Sequence, residues 1–330
     1  MQWFLSYLNG ESGDKSFNEF TLKRGYVNIK KNINDRFSGR ITTDITVDQE
    51  GDGEGDVEIR LKYLYLKYQL PGFAFFHKPY LEFGLVHRPW IDFEQSINDY
   101  RVQGTMYLER NDVINSGDYG IFYLSLLGET MDEEYRKTVN NSFAGTFGSL
   151  AVGIFNGGGY HALEKNENKS IETRLTLRPF HSVLPGLQLT YHGAIGKGNI
   201  SEAPDWNYNS GYVSYESRRM ILTCEYYTGI GNYKGNAVRD RTRFESIPQD
   251  GYSLFGEWKV FSSRISLVGR YDYFRQDYDD IDNTARRTIA GVAYHFIRGS
   301  KLIVDYDIVD FSNPAENDSH IFEVAIELRY

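Results

Sequence analysis

Apolar and polar residues alternate through most of this chain. In residues 319–330, Phe322, Val324, Ile326, Leu328 and Tyr330 share one parity, while Glu323, Ala325, Glu327 and Arg329 share the other. Strand side chains point to opposite faces in turn, so the segment has one apolar and one charged face. Residues 37–47 set Phe37, Ile41, Ile45 and Val47 against Arg40, Thr42, Asp44 and Thr46. Residues 57–67 set Val57, Ile59, Leu61, Tyr63 and Tyr65 against Glu58, Arg60 and Lys62. The same division holds at 171–178, 264–273 and 301–308. The pattern predicts strands near 2–8, 18–32, 37–47, 57–69, 80–88, 118–127, 148–156, 169–178, 186–196, 207–216, 219–230, 251–259, 263–276, 286–297, 301–310 and 320–330.

Connections of two kinds separate these strands. Asn34-Asp35-Arg36, Glu216-Ser217-Arg218 and Arg298-Gly299-Ser300 are tight turns, whereas 89–117, 157–168, 197–206 and 231–250 are long loops. Short turns at one end and long loops at the other are expected of a transmembrane β-barrel with an even number of strands and periplasmic termini. Residues 128–147 break the rule, a long link where a short turn is due, and predict an extended hairpin or a small plug. A two-sheet sandwich also alternates, but hides its apolar face in a core and carries Lys and Glu outside. Here Tyr is abundant on the apolar parity. Phe37, Trp258, Phe296 and Tyr330 lie at strand ends as an interfacial aromatic girdle would. The charged parity is rich in Arg, which suits a wet lumen. The expected fold is all-β: one closed antiparallel barrel of about sixteen strands over 1–330, with an inward-folded third loop.

Composition agrees. The 330 residues hold 26 Tyr and 32 Gly but only 8 Pro. Mean hydropathy is −0.49 and no apolar run is long enough for a transmembrane helix. A barrel strand needs only alternate residues apolar, over about 9–11 positions. The net charge of −9 argues against nucleic acid as a partner. Cys224 is the single cysteine, so no internal disulfide is possible. No signal peptide precedes Gln2-Trp3-Phe4, so export would require a leader outside these residues.

The final strand, ending on Tyr330, resembles the closing strand of bacterial outer-membrane barrels. Four stretches resemble the phosphate-selective porin O and P family: residues 20–29 with the turn at 34–37; Gly84 to Glu94 with the return at 107–110; residues 153–169; and Glu225-Tyr226 followed by Arg270-Tyr271-Asp272. The second is similar to the family's Gly-x-x-x-x-Pro-Phe-x-x-x-Glu lead into the third loop, with Trp90 in place of Phe. The resemblance implies a sixteen-stranded, usually trimeric porin whose third loop, here 89–117, narrows the pore. Candidate pore-lining and constriction residues are Arg88, Asp92, Glu94, Arg101, Glu109 and Arg110 on or beside that loop, and Arg60, Lys62, Arg174, Arg270 and Asp272 on the wall. Family members selective for phosphate line this path with Arg and Lys. Here carboxylates interrupt the cations, so phosphate capture, which needs several donors without competing acids, is not expected.

Other clusters point less far. Residues 48–56 hold five carboxylates among glycines, and 277–282 hold four. Both read as solvated outer loops, with cation bridging to lipopolysaccharide as the alternative. Lys234, Arg239, Arg241 and Arg243 make one basic loop that could attract anions. Gly157-Gly158-Gly159 lacks the Lys-Ser/Thr and helix of a phosphate loop. The seven His show no metal spacing, and no catalytic triad is legible. No cofactor and no enzymatic activity are expected. The expected function is passive diffusion of small hydrophilic solutes across the outer membrane, in contact with lipid and lipopolysaccharide, as a homotrimer. Basic and acidic lumen residues nearly cancel, so selectivity is expected to be weak, with a slight cation bias from the acidic mouth loops. The alternative is a plugged barrel acting as an anchor or interaction subunit.

Overall fold

The computed structural model describes residues 1–48, 53–240, 242–260, 264–278, 281–297 and 299–330, with Ile281 and Asp282 as backbone only. Parts of the two acidic loops (49–52 and 279–280) and Arg241 of the basic loop lie outside the described residues. The strands are β1 (Gln2–Ser12), β2 (Lys15–Asn32), β3 (Phe37–Val47), β4 (Val57–Gln69), β5 (Phe76–His87) and β6 (Gly117–Leu127). Then come β7 (Gly148–Phe155), β8 (Ser170–Leu177), β9 (Leu187–Lys197), β10 (Asp205–Glu216), β11 (Met220–Ile230), β12 (Val238–Asp240) and β13 (Glu245–Ser246). Last are β14 (Pro248–Val260), β15 (Ile265–Tyr278), β16 (Ile281–His295), β17 (Lys301–Phe311) and β18 (Ser319–Arg329). Among the described residues three short helices, α1 (Ile91–Ile97), α2 (Tyr107–Arg110) and α3 (Glu133–Thr138), lie in connections. None of the described helices is long and apolar enough to cross a membrane.

All these strands except β12 and β13 pair antiparallel with their neighbours in one closed barrel, sixteen strands in all. β12 and β13 form a separate hairpin in the loop after β11. β1 and β18 close the ring from Gln2↔Arg329 to Ser12↔Ser319. Met1 and Tyr330 exchange backbone hydrogen bonds of 3.2 and 3.0 Å at its end. In β18 Phe322 and Ile326 are exposed outward, and Glu323, Ala325 and Glu327 are buried inward. Tyr226, Trp258, Ile59, Ile195, Tyr306 and many other large apolar residues are likewise exposed on the outer face. Water would penalise such a surface; hydrocarbon does not.

The predicted faces of β4 change halfway. Thr42 pairs with Tyr63 but Thr43 pairs with Leu61, leaving Lys62 without a partner. This extra residue is a β-bulge, and it inverts the parity of everything after it. Val57 and Ile59 face lipid as expected. Tyr63 and Tyr65, predicted to do so, turn inward, and Leu64 and Leu66 take their places outside. The inward residues are therefore Lys62, Tyr63, Tyr65 and Lys67. A second irregularity, between His77 and Tyr80, accommodates Pro79, which has no N–H for the ladder.

The bulge gives a parity test. Leu64→Lys should cost roughly 2 kcal/mol of stability by placing charge in lipid. Tyr65→Lys, despite the larger residue lost, should cost less. Urea unfolding of the barrel in lipid vesicles measures both. Equal costs would contradict the inverted register.

Candidate lumen and constriction site

The loop between β5 and β6 leaves the wall at Pro89 and fills much of the lumen. Trp90, Ile91, Phe93, Ile97, Met106, Tyr107, Leu108, Val113 and Ile114 are buried in a single cluster with Ala194, Trp206, Tyr208, Tyr212 and Tyr227 of the wall. Trp90 stacks on His192 with ring centroids 3.7 Å apart and planes within 8°. Tyr107 donates to the carbonyl of Tyr273 at 2.7 Å. Its hydroxyl occupies the space of the missing Gly251 side chain, 2.2 Å from where a Cβ would sit. The loop therefore turns inward as the sequence predicts, because its apolar residues find partners on that wall.

Polar contacts extend the docking around the ring from β8 to β18. Tyr100 donates to Glu257 at 2.8 Å, Gln103 to Asp305 at 2.8 Å and Arg110 to Asp272 at 2.9 Å. Lys301 pairs with Asp99 at 3.0 Å, and Arg329 pairs with the same carboxylate. The loop's far edge reaches the opposite wall, where Arg101 donates to Tyr26 at 3.3 Å and pairs with Glu109 at 2.6 Å. Burial opposes ionisation of Glu109, but Arg101, Lys62 and Arg24 hold its carboxyl down at about 2. Asp99 is likewise held low, against its burial, by Lys301 and Arg329.

Not every candidate residue faces water. Arg88 is fully buried, bonded to Asp118 at 2.7 Å and the Gly157 carbonyl at 3.1 Å, with Glu172 at 3.5 Å. Glu94 is also buried, against the prediction, because its turn of α1 faces the wall. Arg174 is buried behind the loop and donates to Pro89 O, Ser149 and Thr176. Arg270 pairs with Asp272, and Arg60 with Glu58. Asp92, Lys62 and Arg101 do line a cavity of about 530 Å³ between the loop and the β2–β4 wall. Arg110 and Asp272 line another of about 470 Å³ beside β15–β18.

Charge is distributed unevenly around the first cavity. Among the described residues, Lys30, Arg40, Lys62 and Lys67 of the wall are in no ion pair with a carboxylate. Arg40 bonds to Asn28 and Thr42 and contacts His87. Lys62 sits over the Tyr26 ring, 4.8 Å from its centroid, and Lys67 over Tyr80 at 3.2 Å. Their acidic neighbours are the exposed Asp92, near Lys30, Arg40 and Lys67, and the buried Glu82, which bonds to His87 at 2.8 Å and stands opposite Lys67 in the β4–β5 ladder. Lys67 was not among the sequence candidates, because uninterrupted parity put it outside. A lysine on the lipid parity, after Leu64 and Leu66 on the other, was the available signal of the bulge.

No protein-family model matches the chain, and no curated protein matches it in sequence. Solved structures do match in fold. OmpF of Salmonella typhi, in complex with daunomycin, superposes with a TM-score of 0.64 at 13% identity, over 99% of this chain and 96% of its own. The anion-selective porin of Comamonas acidovorans gives 0.64 at 10% identity, over 100% and 99%. OmpT of Vibrio cholerae, in its trimer form, gives 0.60 at 12%, over 99% and 98%. The fold is that of the sixteen-stranded porin barrels of Gram-negative outer membranes.

Glu94 makes docking of the loop pH-dependent. Its burial, with Asp272 and Glu109 nearby and Arg270 and Arg110 opposing, pushes its carboxyl up to about 7. An undocked Glu94 ionises near its ordinary 4.5. Docking is therefore unpenalised below pH 4.5, weakens as pH rises towards 7, and is constant above. Glu94→Gln should match the wild type at pH 4 and protect the loop better at pH 8. Proteolysis or hydrogen exchange of residues 89–116 measures this. The same protection difference at both pH values would contradict it.

Proposed function

We propose that this protein is a diffusion porin of the bacterial outer membrane, working as a homotrimer in lipid and lipopolysaccharide. It passes small hydrophilic solutes and prefers anions modestly, with no specific site for phosphate. The observation that carries the sign is the pairing pattern. Many lumen acids are bonded or ion-paired, with Glu257, Asp272 and Glu327 held by Tyr100, Arg110 and Lys301 where the loop meets the β8–β18 wall, so they contribute little to the open surface. Four cations on β2, β3 and β4 are in no carboxylate ion pair; Lys30, Arg40 and Lys62 line the opening with Asp92 opposite, while Glu82, beside Lys67, is buried and bonded to His87. A net positive lining concentrates anions, and water and salt in the pore limit the effect to about 8–10 Å from each charge. This reverses the slight cation bias expected from the acidic mouth loops. Phosphate specificity would need converging forked donors. Only Arg40 of the four is a guanidinium, and its Nε and Nη2 already bond to Asn28.

A second reading has an observation of its own. Several connections enter the lumen, among them the loop at 89–116, the link at 128–147, and the loop after β7, whose Tyr160 reaches across to Asp44 at 3.0 Å. A barrel so filled could serve as an anchor without conducting.

Planar-bilayer recording separates the two. The porin gives unitary current steps and the anchor none. In a potassium chloride gradient the reversal potential should favour chloride. Lys30→Gln combined with Arg40→Gln should reduce chloride preference several-fold, by removing two unpaired lining charges. Strong block by micromolar phosphate, or cation preference in the wild type, would overturn the reading of the lining.

A further inference from the structure

The link between β6 and β7 is folded, not loose. Thr130 and Gly145 form a bridge across its base, and Asp132 caps α3 by accepting from Tyr135 N at 2.7 Å. Arg178 of the wall-end turn donates to the Tyr135 hydroxyl at 2.8 Å, and Arg218 pairs with Glu134. So anchored, residues 139–143 run under the loop that fills the lumen. Asn140 uses its one amide group twice, donating to Ser96 O of α1 and to Glu216, both at 2.8 Å. Phe143 meets Phe93 of α1 edge to face, centroids 5.5 Å apart. The Arg174 guanidinium lies against both rings, 4.1 Å from the centroid of Phe93 and 5.0 Å from that of Phe143.

Two observations separate this from mere packing. Phe143 has a backbone φ of +49°, a left-handed conformation that a bulky residue adopts only when its surroundings impose it. The chain holds an aromatic residue in a strained position where glycine would fit without cost. And Ser142 and Phe143 border two cavities at once. One is the 530 Å³ space lined by Lys30, Arg40, Lys62 and Asp99; the other, of about 330 Å³, is lined by Lys67, Lys78, Tyr80 and Leu124. Asp92 is the third residue common to both.

We propose that Ser142 and Phe143 form a septum across the terminus-side mouth, meeting Asp92 and dividing the exit into a charged lobe and a partly apolar lobe. The septum is a second constriction, separate from the loop after β5. It sets the size limit for solutes and sorts them: small anions pass the charged lobe, and solutes with an apolar face pass beside Tyr80 and Leu124. This inference rests on the diffusion reading above.

Three variants test it in planar bilayers, each first shown to fold by the heat-dependent gel migration of closed barrels. Phe143→Gly removes the ring and suits the left-handed backbone, so it merges the lobes without unfolding the link. Its conductance should rise about 1.5-fold, and larger neutral sugars should enter at rates the wild type does not allow. Phe143→Trp should lower conductance. Ser142→Cys, in a Cys224→Ser background, should lose current when a bulky thiol reagent reaches the terminus-side mouth. Unchanged conductance in both Phe143 variants, with no reagent effect, overturns the septum. A wild type without steps beside a conducting Phe143→Gly sinks the diffusion reading but keeps the septum. Silence in every variant overturns both.

Discussion

Within hydrocarbon, no water is available to bond an exposed N–H or C=O, so every strand needs a partner on both sides. That requirement closes β1 on β18, here in a ring of sixteen strands. A ring of this size is too wide for its own side chains to fill and leaves an aqueous channel. The lumen can be narrowed only by chain that leaves the wall. The loop after β5, the link after β6 and the loop after β7 all do so, and between them they define what space remains.

The inward chain docks on one side. Aromatic residues from Trp90 to Tyr107 meet Tyr208, Tyr212 and Tyr227, and Glu257, Asp272 and Asp99 find donors along that seam. A buried ion pair gains little net stability, but a buried charge left without a partner is costly. Pairing therefore accompanies docking, and the charges not needed for docking stay on the far wall. Asymmetric packing thus becomes asymmetric electrostatics: Lys30, Arg40, Lys62 and Lys67 on β2 to β4 are what pairing leaves over.

The strands were legible because lipid on one side and water on the other impose a period of two, and sixteen segments carry it. Strand ends moved by a few residues. β1 and β2, for example, run on to Ser12 and back to Lys15 where a longer loop was expected. The inward turn at Pro89 was legible too, from proline followed by Trp90 and Phe93. What parity could not give was the phase after a bulge, so Tyr63, Tyr65 and Lys67 were assigned to the wrong face or passed over. Nor could it tell a charge that lines water from one that braces the loop. Arg88, Glu94 and Arg174 have the composition of pore residues, and only three-dimensional contact puts them behind the loop. Phe143 had no signal beyond the unusual length of its connection.

The seam between β1 and β18 also constrains how the barrel is made. Its partners are among the most distant in the chain, Met1 and Tyr330 being 329 positions apart. Contacts so remote in sequence must be reached after nearly all chain entropy has been restricted, which slows folding. Each of the other fifteen pairings joins strands consecutive around the wall and can form as a hairpin or by one further addition. The first strand alone must hold an open edge of hydrogen-bonding groups until the last arrives. During that interval the curling sheet has two unsatisfied rims, each a template for pairing with another chain. A protein of this shape therefore depends, while immature, on something that covers those rims or keeps copies apart.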